Sequence, residues 1–199
     1  MRHTNRPWVG LAGLMLIGLS CGLPLSGAAA EPAAASSTTD VVSGAWQHHN
    51  VTFSYYGVTA LFTCDGLEDH VRQILLHLGA RKDLTVYANG CPGPINTPSN
   101  SAFVHADFYA LAPAAGADGS DRVMARWTAL EVTPRRPGFM GDGDCELIQG
   151  MKDIITKNFS LRDVEYRTSC FPHSISMDGF AVKGQALKAL PLNPNAAKG

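Results

Sequence analysis

Four cysteines of this 199-residue chain form two pairs of nearly equal spacing, which constrains the fold more than any other feature. Cys64 and Cys91 are 27 positions apart, and Cys145 and Cys170 are 25 positions apart. In each pair an acidic residue follows the first cysteine, a helical pattern comes next, and a proline lies close behind the second cysteine. The segments recur after about eighty residues, and such self-similarity predicts an internal duplication.

Two amphipathic helices are predicted, one inside each cysteine segment. Apolar residues recur there at the 3.6-residue period, so each helix covers the core with one face. These residues are Leu67, Val71, Ile74, Leu75 and Leu78 in the first helix and Leu147, Ile148, Met151, Ile154 and Ile155 in the second. Gly79 is predicted to end the first helix, and Asp144 to cap the start of the second. His70 and His77 are interpreted as ordinary surface residues.

Strands are predicted around both helices from alternating apolar and polar residues. They include residues 51–62, 104–108, 123–129 and 175–182. The strands at 104–108 and 123–129 are expected to form a hairpin. Half-units 50–111 and 122–187 then share the order strand, helix, strand, strand. We therefore predict an α+β fold in which two pseudo-repeated βαββ units form one mixed sheet with two helices on one face, of ferredoxin-like character.

The first 30 residues have the organisation of a secretory signal peptide. Arg2 and Arg6 precede an uncharged, mostly apolar stretch at residues 8–25, and small residues follow it. One alternative is a retained membrane anchor, because this stretch reaches the lower length limit for a bilayer span. Another is a lipid anchor at Cys21. Cleavage predicts a periplasmic or secreted chain that keeps no membrane span.

The remaining chain is expected to contain one domain. We predict a flexible lead-in at 31–49, a disulfide-stapled domain at 50–190 and a tail at 191–199, since the Ala-, Ser- and Thr-rich lead-in has little to pack. The whole chain has 16 basic and 17 acidic residues. It therefore lacks the positive excess that holds a phosphate backbone, and nucleic acid is excluded as an expected partner.

Cleavage of the leader leaves four cysteines in the chain. An even number of cysteines in an exported protein predicts disulfides rather than free thiols. Each pair brackets a strand–helix–strand crossover. If the two crossover strands are neighbours, their ends lie about 5 Å apart, within the reach of a disulfide. We therefore expect the pairs Cys64–Cys91 and Cys145–Cys170. A third strand between them would widen the gap to about 10 Å and favour pairing across the two halves.

Histidines offer a candidate metal site, because imidazole is a ligand that suits copper and zinc. The four candidate ligands are His48, His49, His105 and His173. The alternative interpretation is a solvated sheet face with scattered histidines. We predict no other cofactor.

No enzyme signature is present, since the chain lacks G-x-S-x-G, H-E-x-x-H and P-loop patterns. We expect a small non-catalytic binding or envelope-associated module whose partner is a protein or an envelope component. It would act through the sheet face opposite the helices or through loops at 92–101, 112–121 and 133–143. The alternatives are a periplasmic copper- or zinc-binding protein and an enzyme whose site assembles only in three dimensions, near the sheet edge where the cysteines gather.

Several segments resemble uncharacterised exported proteins of Gram-negative bacteria. They are Cys64-Asp65-Gly66-Leu67-Glu68, Leu78-Gly79-Ala80-Arg81 and Gly90-Cys91-Pro92 in the first cysteine segment, and Gly143-Asp144-Cys145-Glu146-Leu147 at the start of the second. The resemblance covers residues 50–190. It implies a periplasmic location and no particular activity.

Overall fold

Six strands and three helices make up the part of the chain that the structure describes, which has the α+β composition that the sequence predicts. The computed structural model describes residues 41–91, 97–114, 122–170 and 179–191. In chain order the elements are β1 (Val41–Tyr56), α1 (Cys64–Leu78), β2 (Thr85–Asn89), β3 (Ser101–Pro113), β4 (Arg122–Val132), a 3₁₀ turn (Asp142–Asp144), α2 (Cys145–Gly150), α3 (Lys152–Asn158), β5 (Leu161–Thr168) and β6 (Phe180–Ala189).

The strands form one sheet in the order β2-β3-β1-β4-β6-β5. Every neighbouring pair is antiparallel, so the predicted mixed sheet is wrong. The reason is that crossover strands are not neighbours: β3 lies between β1 and β2, and β6 lies between β4 and β5. The predicted hairpin of β3 and β4 is also wrong, because β1 lies between them.

The first strand is longer at its start and shorter at its end than the sequence predicts. Residues 41–49, which we expected to be a flexible lead-in, belong to β1, while residues 57–63 form a connection to α1. Val42 and Trp46 pack against a small cluster of Leu111, Ala125 and Leu187. These apolar side chains give the segment something to bury, and they explain why it is ordered as a strand.

The first helix follows its sequence pattern closely. All five apolar residues of its predicted stripe are buried. Gly79 ends the helix with a φ of 107°, a left-handed conformation that glycine adopts without a steric penalty. At the start, the Thr63 hydroxyl accepts a hydrogen bond of 3.0 Å from the Gly66 N–H, so Thr63 is the N-cap.

The second predicted helix is divided in two. Its five apolar residues are buried as expected, but α2 ends at Gly150 and α3 begins at Lys152, with Met151 between them. Gly150 has a low helix propensity, which favours the interruption at this point. The described residues therefore form three helices where the sequence predicted two.

The helices cover one face of the sheet. Their buried residues belong to a single core cluster that also includes strand residues, among them Val86, Val104, Phe108, Val132, Phe180 and Val182. Because side chains alternate along a strand, the residues between them on β1, β2 and β3 lie on the opposite face. Within the described residues, no helix combines the length and the apolar character needed to cross a bilayer.

Candidate functional site

The two disulfides join the cysteines within each segment. The Cα atoms are 6.0 Å apart in Cys64–Cys91 and 5.5 Å apart in Cys145–Cys170. A third strand lies between the two strands that each helix connects, yet both bonds form. They can form because Cys64 and Cys145 each begin a helix and do not end a strand. Two disulfides are typical of proteins that fold in an oxidising compartment.

An aromatic stripe crosses the face of the sheet that the helices leave open. It consists of Tyr56 on β1, Phe103 on β3 and Tyr87 on β2, whose side chains are 68%, 59% and 59% exposed. Phe103 pairs with Ser54 on one side and with Asn89 on the other, so Tyr56 and Tyr87 are its diagonal neighbours. Such neighbours lie about 7–8 Å apart, and the three residues therefore form a continuous surface.

Polar side chains lie next to the aromatic stripe on the same face. The Thr52 hydroxyl lies 3.1 Å from Nδ1 of His105, and the Asn50 amide lies 3.3 Å from its Nε2. Beyond them, His48 donates from Nε2 to Asp107 over 2.9 Å. This hydrogen bond, helped by a second one from Asn50, lowers the pKa of the exposed Asp107 carboxyl. The open face thus presents rings and hydrogen-bonding groups together.

Of the four predicted metal ligands, His48 and His49 lie on opposite faces of β1, because neighbouring strand residues point to opposite faces. His48 lies with His105 on the open face, whereas His49 stacks on the buried Phe108 at 5.3 Å. Burial also lowers the pKa of His49. His173 lies outside the described residues. Among the residues that are described, no three potential ligands are grouped so that they could hold a metal ion.

A buried polar cluster near the helix starts was missed by the sequence analysis. Nε2 of His70 lies 3.1 Å from Oδ1 of Asp144, and the two side chains are only 15% and 7% exposed. Nε2 of His70 nevertheless has no hydrogen-bond partner among the described residues. Asp144 accepts a hydrogen bond of 2.7 Å from the Gly141 N–H. Asp144 is the N-cap residue of α2 as predicted, but its side chain makes no capping hydrogen bond to that helix. His70 is not an ordinary surface residue.

Three further polar side chains lie near this pair, those of Tyr55, Thr59 and Glu146. The Tyr55 hydroxyl donates to the carbonyl of Ala60 over 2.7 Å. Burial, reinforced by the negative charges of Glu146 and Asp144, raises the pKa of Tyr55. The backbone N–H and hydroxyl of Thr59 donate to Oε1 of Glu146, at 3.2 and 2.9 Å, while Oε2 is buried without a partner among the described residues.

The surroundings of the His70 ring are mostly aromatic. In a catalytic triad, a histidine beside a carboxylate takes the proton of a hydroxyl or thiol nucleophile. Among the described residues, no hydroxyl or thiol hydrogen-bonds to His70, which instead packs against the rings of Phe62 and Phe139 at 5.4 and 5.8 Å. Cys64 and Cys145 are held in disulfides. The contact between His70 and Asp144 connects α1 to the start of α2.

His77 predicts how stability depends on pH. Its Nε2 donates to the Glu131 carbonyl over 3.3 Å, but burial and the nearby Lys188 ammonium lower its pKa overall. Below about pH 6.5 the unfolded chain therefore binds more protons than the folded one. We expect the free energy of unfolding to rise with pH up to that value, and H77Q to make the rise less steep.

Urea denaturation at several pH values measures this effect. H49Q should reduce the slope as well, because burial also lowers the pKa of His49, and the double variant should have the smallest slope. An H77Q slope equal to that of the wild type would contradict the prediction.

Comparisons with known proteins identify no relative: no family model, curated protein or solved structure matches the chain. A functional proposal must therefore come from the geometry described above.

Proposed function

We propose that this chain is a small, non-catalytic exported protein that binds an envelope component or a partner protein through the aromatic stripe. The observation that carries the proposal is the exposure of Tyr56, Phe103 and Tyr87 in one continuous surface. Large apolar rings are normally buried, and a group of them on the surface of a folded protein marks an interaction site. Tyrosine and phenylalanine also supply contact area at a low cost in side-chain entropy.

The location that we propose is the periplasm or the exterior of a Gram-negative cell. The leader that suggests export lies outside the described residues, as does the tail from residue 192 onward. Support comes from the two disulfides, which persist in an oxidising compartment. Reduced thiols in the purified native protein would count against this location.

We also propose that the domain arose by duplication of a βαββ unit, and that the sheet formed by the two units with helices on one face has a ferredoxin-like character. The sheet order supports this, because the last strand of each half lies between its first two: β3 between β1 and β2, and β6 between β4 and β5. In each half, moreover, a disulfide joins the first residue of a helix to a residue beyond the next strand.

The aromatic stripe is tested by the double variant Tyr87→Ser and Phe103→Ser. We expect binding to isolated envelope fractions, measured by co-sedimentation with sacculi and outer-membrane vesicles, to weaken at least ten-fold. Truncating an anchoring aromatic residue commonly costs about 2 kcal/mol of binding energy. The free energy of unfolding should change by no more than about 0.5 kcal/mol per residue, because both side chains are exposed.

The matched control replaces two exposed apolar residues outside the stripe, Met124→Ser and Val164→Ser, whose side chains are 57% and 38% exposed. This variant should bind as the wild type does. Equal losses in the two double variants, or no binding by the wild type to any fraction, would contradict the proposal.

A further inference from the structure

A second surface with ligand-binding features lies in the other half of the protein. It is a cleft of about 380 Å³ between β5, β6 and the turn that follows β4. Its size falls within the range of small-molecule sites. Three cationic side chains line it, those of Arg135, Arg167 and Lys183, together with one carboxylate, that of Glu131.

The sheet and a closed turn bring these cations together. Arg167 on β5 pairs with Ala181 on β6, and Lys183 follows Ala181 by two positions, so the two side chains share a face. Arg135 lies in a turn closed by two backbone hydrogen bonds between Thr133 and Arg136, at 2.7 and 3.1 Å. The lining is therefore built on paired strands and a hydrogen-bonded turn.

The charges in the cleft are not balanced. Oε1 of Glu131 lies 3.6 Å from the Lys183 ammonium, and its Oε2 lies 3.4 Å from the Arg136 guanidinium. The one carboxylate of the lining is thus already in contact with two cations. Arg167 is exposed and has no ion-pair or hydrogen-bond partner among the described residues. Glu165 is the cross-strand partner of Lys183. Arg136, Arg167 and Lys183 still exceed Glu131 and Glu165 by one positive charge, although the chain as a whole has a net charge of −1.

Apolar atoms line the same cleft. Pro134 and Ala181 contribute to the lining, whereas the Phe180 side chain, at the edge of the cleft, is only 1% exposed and packs in the core on the helix-covered face. A ligand that fills this space would therefore need an uncharged body as well as an anionic group. Guanidinium groups bind phosphate oxygens in pairs through their planar array of N–H donors, while an ammonium acts as a point charge.

We propose that this cleft binds a small molecule that carries a phosphate group on a ring or short aliphatic body. Arg167 and Lys183 would contact the phosphate, and Pro134 and Ala181 would contact the body. The cleft uses β5, β6 and the 133–136 turn, whereas the aromatic stripe uses β1, β2 and β3. The two proposals therefore stand or fall separately.

The test is calorimetric titration of the full chain, disulfides intact, with phenyl phosphate at low ionic strength. We expect saturable one-to-one binding that is tighter than the binding of inorganic phosphate. R167A and K183A should each weaken it at least ten-fold, and R167K should weaken it less than R167A does. The matched control is R126A, which removes an exposed arginine of β4 outside the cleft and should leave the affinity unchanged.

Three results would overturn the proposal. The first is no saturation at millimolar phenyl phosphate, and the second is an equal affinity in R167A and R126A. The third is binding to phosphatidylglycerol vesicles without binding to phenyl phosphate, which would assign the cations to a membrane surface. The side chains of Arg167 and Lys183 are exposed, so their removal should change stability little. A loss of affinity in R167A or K183A would therefore not reflect unfolding.

Discussion

Replacing Cys145 and Cys170 together by alanine is expected to lower the free energy of unfolding by about 3.5 kcal/mol. The bond closes a loop with a sequence separation of 25, and opening it restores conformational freedom to the unfolded chain. Small domains are stable by only about 5–15 kcal/mol, so the loss is a large share of the total. Urea denaturation of both proteins under non-reducing conditions measures it.

The other disulfide provides a matched control. Its sequence separation is 27, so the double variant Cys64→Ala and Cys91→Ala loses nearly the same loop constraint. Cys145 is 5% exposed within the core, whereas Cys64 and Cys91 are only partly buried. We therefore expect the Cys145/Cys170 variant to lose somewhat more stability, because alanine leaves a space in the core. A loss below about 1 kcal/mol in both variants would contradict the loop-closure explanation.

Local patterns in the sequence predicted the helices well. The apolar stripe of α1 and its end at Gly79 follow from residues that are close in the chain, where spacing alone determines which side chains share a face. Strand order was not predictable in the same way. It depends on β1 pairing with β3 along Gly44–Tyr56 and with β4 along Val41–Ala45, which is a choice among distant partners.

In the candidate sites, too, local patterns place some residues but not those that meet through long-range contacts. The shared face of Phe103, His105 and Asp107 follows from strand alternation, and His49 would have been placed opposite His48 if residues 41–49 had been recognised as a strand. The contact of His70 with Asp144 joins residues from different halves, so no local pattern indicates it. One signal was available: His70 and His77 lie seven positions apart, beside the apolar stripe of α1.

Gly184→Ala is expected to lower the free energy of unfolding by about 3 kcal/mol, from backbone strain and overpacking together. Gly184 lies on β6 with a φ of 152°, a conformation that side-chain-bearing residues rarely adopt. An added Cβ would meet the carbonyl oxygens of Arg162 and Asp163 at 2.9 and 3.0 Å. Both atoms belong to the backbone of β5, so they cannot move aside as the end of a flexible side chain would. They lie where the pairing of β5 with β6 is irregular, between Arg162 and Glu165.

Gly138→Ala is the matched control, because an added Cβ there has no atom within 4 Å and no positive φ is involved. This variant should be neutral or more stable by up to about 1 kcal/mol, since alanine reduces the freedom of the unfolded chain. Urea denaturation gives both values, and hydrogen exchange shows where the strain acts. Because β5 is an edge strand, we expect its amides to lose protection in G184A before those of β1 and β3 do. Equal stability changes in G184A and G138A would mean that β5 shifts to make room for the Cβ.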